Sequence, residues 1–173
     1  ARLNIRNNTP EKSYAKITDL AQQHGMEAQI DSIETLRQTV NTLHIGAGLF
    51  ATMQIVENIE DYAAAHGKKV LYVLSYGMRT VADSVRGQDR FDREFIEFIE
   101  RRQLPYVDLL EAHLADFATF NMGIEEYLDR YWVSHYNPRG NFFTAFSAKD
   151  KLVDMLQPKP VPYDFDSILF IDP

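Results

Sequence analysis

The stretch VLYVL at residues 70–74 is the clearest strand in this chain of 173 residues. It is continuous and apolar, as expected for a strand that is buried on both faces of a parallel sheet. A helix is predicted before it, over residues 49–65, and Gly67 is typical of the residue that ends such a helix. Ser75 follows the strand directly, at the edge where open α/β sheets bind their ligands. The order of helix, turn and strand favours an α/β fold.

Two further helices are predicted upstream. The dipeptide Thr9-Pro10 is typical of a helix start, and apolar residues at helical spacing over residues 30–43 indicate a second helix. Gly46 and Gly48 interrupt this pattern, so we expect a tight turn there, ahead of the helix that precedes the strand.

A second strand is predicted in LPYVDL at residues 104–109. Between the two strands lies a charged segment, residues 79–93, which we expect to be an exposed loop that enters a helix. The apolar positions of this helix form one stripe: Phe91, Phe95, Phe98 and Ile99. Helix and strand thus alternate twice over residues 49–109, which favours parallel strands with a right-handed crossover.

These elements predict a three-layer, flavodoxin-like α/β fold with a parallel sheet. Two strands are fewer than the about five or six of a mean sheet, so we expect the sheet to be incomplete in this chain. Residues 1–157 are predicted to form a single α/β domain, or the C-terminal part of one. Residues 158–173, which begin with three closely spaced prolines, are predicted to form an extended tail.

The composition excludes several classes of function. The formal net charge of −7 argues against a broad surface for nucleic acid, which needs clustered lysine and arginine. Since the chain has no cysteine, disulfides, thiolate metal sites and cysteine nucleophiles are excluded. No apolar run reaches the roughly 18 residues of a membrane span. We expect no cofactor and no metal, and the composition leaves the cellular compartment open.

The strongest chemical signal is His135, within SHYNPRGN at residues 134–141. Asn-Pro followed by Gly has the chemistry of a turn, and an apolar helix comes directly after it. A histidine on a loop before a helix can be held at one ring nitrogen and face solvent at the other, as a general base requires. The structural alternative is a histidine that only serves the turn.

The order of elements over residues 43–157 and this last turn resemble the second half of the SGNH (GDSL) hydrolase superfamily. His135, Asn137 and Gly140 match the family's final block, in which a histidine is followed by asparagine and by a glycine that opens the last helix. The resemblance implies hydrolysis of an ester or acetyl group on a small molecule or carbohydrate, with His135 as the general base for a serine nucleophile.

The chain departs from the family at three positions. Trp132 stands where the family has the aspartate three residues before the histidine, and Asp129 is the nearest carboxylate. Neither the Gly-Asp-Ser block nor the Gly-x-Asn-Asp block occurs. The resemblance therefore implies either that the serine lies upstream, in a missing N-terminal half of the polypeptide, or that the chain is a non-catalytic interaction domain with a degenerate site. In the first case Asp129 orients the imidazole.

Three further residues are predicted to contact the substrate: Ser75, His113 and Asn137. Ser75 ends a strand but lacks the first glycine of a Gly-x-Ser-x-Gly elbow, which favours a pocket residue over a nucleophile. His113 follows the second strand, near Asp108 and Glu111, at a spacing that matches no metal template. A buried or surface histidine without a ligand is the structural alternative.

Overall fold

The computed structural model describes residues 10–23, 25, 27–28 and 30–163. The chain divides into two compact units, Ala1–Glu57 and Asn58–Pro173. In order, the described helices and strands are α1 (Pro10–Gln23), α2 (Ile33–Ala65), β1 (Tyr72–Leu74), α3 (Met78–Val85), α4 (Arg93–Arg101), β2 (Tyr106–Asp108), α5 (Leu109–Phe117), α6 (Ile124–Tyr131) and α7 (Pro138–Met155).

The first unit contains α1 and most of α2, a single helix of 33 residues. Ser32 caps α2, because its hydroxyl accepts from the Thr35 amide while the Thr35 hydroxyl accepts from the Ser32 amide. The predicted turn at Gly46 and Gly48 is wrong, since α2 runs through both glycines. Each glycine costs a helix only about 1 kcal/mol relative to alanine, which good helix formers on both sides offset.

The sheet of the second unit consists of two short parallel strands. Tyr72 lies opposite Tyr106, and Leu74 lies opposite Asp108. The predicted positions and the parallel direction of the two strands are therefore found, but each strand is only three residues long. Val73 in the middle of β1 is 39% exposed, so the prediction that this strand is buried on both faces is wrong.

The predicted three-layer, flavodoxin-like fold is wrong. The described residues are mostly helical, with seven helices against one two-stranded sheet. A sheet of two short strands has too little area to hold a layer of helices on each face. The main core of this unit instead forms where α3, α5, α6 and the loop after α6 meet. Its buried members are Val81, Ala82, Leu110, Tyr127, Leu128, Tyr131 and Trp132.

The charged segment between the strands is also more ordered than predicted. Residues 78–85 form α3, and Val81 within it is fully buried. Arg90 and Asp92, which follow α3, are withdrawn from solvent, with side chains 17% and 5% exposed. The exposed loop predicted over residues 79–93 is therefore wrong, because ion pairing within the fold allows these charges to be buried.

A hydrogen bond joins the end of α7 to the segment just before β1. Lys69, just before β1, donates from Nζ to the carbonyl of Met155, at 2.5 Å. In the predicted tail, residues 161–163 form one 3-10 turn, and residues 164–173 lie outside the described part of the chain. None of the described helices combines the length and the apolar character that crossing a membrane requires.

Candidate functional site

The loop between α6 and α7, residues 132–137, carries His135 and is closed by its own backbone. Trp132 and Tyr136 form an antiparallel bridge across it. The amide of Val133 donates to the carbonyl of His135 at 3.0 Å, and the amide of Asn137 donates to the carbonyl of Tyr131 at 2.9 Å. These hydrogen bonds close the loop and place His135 at its tip.

Asn137 joins this loop to α7. Its Oδ1 accepts from the amides of Arg139 and Gly140, at 2.9 and 3.0 Å, so it is the N-cap of the helix. Its Nδ2 donates to the carbonyl of Arg130 at 3.0 Å. Pro138 occupies the first position of α7, where a missing amide costs nothing. Asn137, which is predicted to contact the substrate, thus uses its side chain for three hydrogen bonds that stabilise the turn.

Gly140 is required by a close approach within the same turn. A Cβ at this position would lie 2.5 Å from the carbonyl oxygen of Tyr131 and would overlap the ring of Tyr136. The backbone of α7 therefore passes directly against the end of α6. The His-x-Asn-x-x-Gly pattern has a local structural reason in this chain: a cap at Asn137 and a tight contact at Gly140.

The imidazole of His135 is exposed and is held at one nitrogen. Nδ1 lies 3.1 Å from the carbonyl oxygen of Tyr136, to which it donates. In the neutral imidazole the proton is therefore on Nδ1, and Nε2 carries the lone pair. No described residue hydrogen-bonds to Nε2. Asp129, exposed on α6, does not bond to His135, so a backbone carbonyl has the orienting role predicted for that carboxylate.

His113 has the opposite environment, since its side chain is fully buried. Nδ1 lies 2.9 Å from the hydroxyl of Tyr127, and Nε2 lies 2.8 Å from the hydroxyl of Tyr136. Five aromatic rings surround the imidazole, with centroids within 6 Å: Tyr127, Tyr131, Trp132, Tyr136 and Phe143.

Asp116 determines the direction of these hydrogen bonds. Its Oδ2 accepts from Tyr127 at 3.0 Å and from Tyr131 at 2.7 Å. Because the Tyr127 hydroxyl donates to the carboxylate, it accepts from Nδ1 of His113, which leaves Nε2 to accept from Tyr136. When His113 is neutral, each hydrogen bond from Asp116 through Tyr127 and His113 to Tyr136 therefore has one donor and one acceptor.

Burial lowers the pKa of His113 to about 4, and the nearby charge of Asp116 offsets only part of this shift. His113 is thus neutral near pH 7. Since the two tyrosine hydroxyls occupy both ring nitrogens, His113 itself has no free hydrogen-bonding atom to offer a substrate.

Tyr136 links the predicted site residues. Burial raises its pKa, and the neighbouring hydroxyls of Ser75 and Thr144 oppose that rise. Ser75 and His113, which are 38 residues apart in the sequence, therefore both lie beside the Tyr136 hydroxyl, and His135 is the preceding residue in the chain. The structure brings four of the five predicted residues around Tyr136. Asp129 is not joined to them.

A second polar cluster lies at the carboxyl ends of the two strands. Arg90 donates from Nε to Asp92 at 2.9 Å and from Nη1 to Asp108 at 2.8 Å. Tyr76 donates to Asp92 at 2.6 Å. Asp108 also caps α5, since its Oδ1 accepts from the amide of Leu110 at 2.9 Å.

The charges of this cluster satisfy one another. Burial opposes the charged forms, but the hydrogen bonds of Arg90 and Tyr76 outweigh it, so the pKa of Asp92 lies below its usual value. The pKa of Arg90 is raised by its two carboxylates despite burial. The sequence analysis missed Arg90 and Asp92. The sequence offered one signal for this cluster, namely Asp108. A carboxylate at the end of a predicted strand needs a cation nearby when it is buried.

Among the described residues, no group of three or more histidine, aspartate or glutamate side chains is arranged to hold a metal ion. No protein family, curated protein or solved structure matches this chain.

Proposed function

We propose that this chain supplies the general base of an ester or acetyl hydrolase similar to the SGNH hydrolases, with His135 as the proton acceptor. The observation that carries the proposal is the hydrogen bond from Nδ1 to the Tyr136 carbonyl. It selects the tautomer with the lone pair on Nε2 and leaves that nitrogen open to solvent.

In this proposal Nε2 of His135 accepts the proton of a serine hydroxyl as the oxygen attacks the carbonyl carbon of the ester. The proton then passes to the departing alcohol, and an acyl-serine remains. His135 next takes a proton from water as the water oxygen attacks the acyl carbon. The bond between this carbon and the serine oxygen then breaks, and His135 passes the proton to that oxygen, which releases the acid product and restores the serine. No serine hydroxyl bonds to His135 among the described residues, and the sequence has no Gly-Asp-Ser block, so the nucleophile is proposed to lie upstream of this chain.

The Tyr136 carbonyl is a weaker support for the imidazolium than a carboxylate, because it has only a partial charge. We therefore expect slower turnover than a complete triad provides. The Tyr136 carbonyl is held in position because its loop is anchored. Tyr136 hydrogen-bonds to His113, and Asn137 hydrogen-bonds to the backbone of α6 and α7.

Hydrolysis of p-nitrophenyl acetate by the purified chain tests the proposal, because an open imidazole promotes acyl transfer from this activated ester to water without a serine. The His135→Ala variant should lose more of the protein-dependent rate than a variant at another exposed histidine. His66→Ala is the matched control, since His66 is also exposed and its Nδ1 lies 2.8 Å from a backbone carbonyl, that of Tyr62. Equal rates for both variants would contradict the proposal.

The alternative, a non-catalytic interaction domain, is supported by one observation. The carboxyl ends of the strands, where α/β enzymes bind their substrates, are closed by the ion pairs of Arg90 with Asp92 and Asp108. Equal rates in the esterase assay favour this alternative.

A further inference from the structure

A groove of approximately 480 Å³ lies between the end of α6 and the first half of α7. It shares Tyr131 and Phe143 with the surroundings of His113, and the proposed function does not use it. The residues that line it are Arg130, Tyr131, Pro138, Arg139, Phe142, Phe143 and Phe146.

One wall of the groove is apolar and open to solvent. Phe142 and Phe146, one turn apart on α7, are 71% and 61% exposed. Their rings lie nearly parallel, with centroids 6.0 Å apart. Two neighbouring aromatic rings exposed to solvent offer a ligand an apolar surface to pack against.

Two of the residues that line the groove are arginines. Arg139 and Arg130 are both exposed, and neither pairs with a carboxylate within the described residues. Arg130 lies over the ring of Phe120, 4.9 Å from its centroid, and beside the hydroxyl of Tyr131. The positive charge of these two residues stands out in a chain whose net charge is −7.

We infer that this groove binds a small amphipathic organic anion, namely a carboxylate with an aromatic or acyl body. The body would lie against Phe142 and Phe146, and the carboxylate would accept hydrogen bonds from Arg139. Cavities of about 300–1,000 Å³ with apolar walls and few polar groups are typical of small-molecule sites. A guanidinium matches the two oxygens of a carboxylate in geometry as well as charge.

Isothermal titration with 2-naphthoate and with its neutral analogue 2-naphthylmethanol tests this inference. In the unsubstituted protein, naphthoate should bind more tightly than naphthylmethanol. Arg139→Gln should weaken naphthoate binding about tenfold, the effect of losing one charge-assisted hydrogen-bonded pair, and should leave naphthylmethanol unchanged. Phe142→Ala should weaken both ligands.

Arg79→Gln and Phe91→Ala are the matched controls, since both residues are exposed and lie outside the groove. They should leave both affinities unchanged. Because Arg139 and Phe142 are also exposed, all four variants should fold, which circular dichroism checks. Three results would overturn the inference: no saturable binding of naphthoate at millimolar concentration, equal affinity for the two ligands, or unchanged binding in Arg139→Gln and Phe142→Ala.

Discussion

The hydroxyl of Tyr136 lies 2.8 Å from Nε2 of His113. This hydrogen bond ties the loop that carries the exposed His135 to a histidine at the centre of the aromatic core. The next bonds in the chain, through Tyr127 to Asp116, are all buried or partly buried. The loop that carries His135 is therefore anchored in part on the buried His113.

The free energy of unfolding should fall as the pH is lowered from about 6.5 to about 4. His113 accepts a proton near pH 6.5 in the unfolded chain but only near pH 4 in the folded one. The unfolded state thus binds more protons in this window, and the slope reaches at most about 1.4 kcal/mol per pH unit. Urea unfolding at a series of pH values measures this slope.

His113→Phe should flatten that slope, although it also lowers stability, because the Tyr136 hydroxyl loses its acceptor and the Tyr127 hydroxyl loses its donor. His66→Ala, at an exposed position, should keep the slope of the unsubstituted protein. If His113→Phe has the same slope as the unsubstituted protein, buried His113 is not its cause.

Gly140→Ala should lower the free energy of unfolding by about 1–3 kcal/mol, the usual cost of overpacking. The new Cβ would lie 2.5 Å from the carbonyl of Tyr131, which belongs to the backbone and cannot move away alone. Gly46→Ala is the control: it lies within α2 with nothing near its Cβ, and it should raise stability by up to about 1 kcal/mol. Thermal unfolding of both variants tests these two expectations, and equal melting temperatures would refute the close contact.

Arg90→Met should lower the free energy of unfolding by about 3–5 kcal/mol, because it leaves Asp92 and Asp108 charged and poorly hydrated. Arg86→Met is the matched control. Arg86 pairs with Glu125 at 2.7 Å, but both side chains are exposed, so its loss should cost under about 1 kcal/mol. Urea unfolding at pH 7 compares the two variants, and similar losses would show that burial does not strengthen the Arg90 pairs.

Asn137→Ala should destabilise the protein by about 1 kcal/mol through loss of the cap of α7. Asn137→Asp keeps the oxygen that accepts from the helix amides and loses only the bond from Nδ2 to the Arg130 carbonyl. We therefore expect the aspartate variant to lie between the alanine variant and the unsubstituted protein in urea unfolding. An aspartate variant as unstable as the alanine variant would assign the main effect to the Arg130 bond.

The elements that the sequence predicts correctly have local causes. The turn predicted around Asn137, with a helix after it, follows from Asn-Pro and the nearby glycine, which act within one turn, although α7 already begins at Pro138, inside the predicted turn. The two strands follow from short apolar runs. The turn at Gly46 fails because a glycine only weakens a helix, and the outcome depends on the neighbouring turns.

The surroundings of His113 could not be predicted, because its partners Tyr127 and Tyr136 are 14 and 23 residues away. The sequence indicates a histidine near two carboxylates after a strand. Which of these groups are buried, and which meet, depends on how α5, α6 and the loop before α7 pack against one another.

The sequence by itself determined the positions of the two short strands and the turn that carries His135, since each depends on residues a few positions apart. Only the tertiary structure decided that this is a mainly helical protein with a two-stranded sheet, that Arg90 is buried between carboxylates, and that Tyr136 connects His113 with the His135 loop. The physical reason is that burial and the contacts of distant residues set these outcomes, and neither is contained in local propensity.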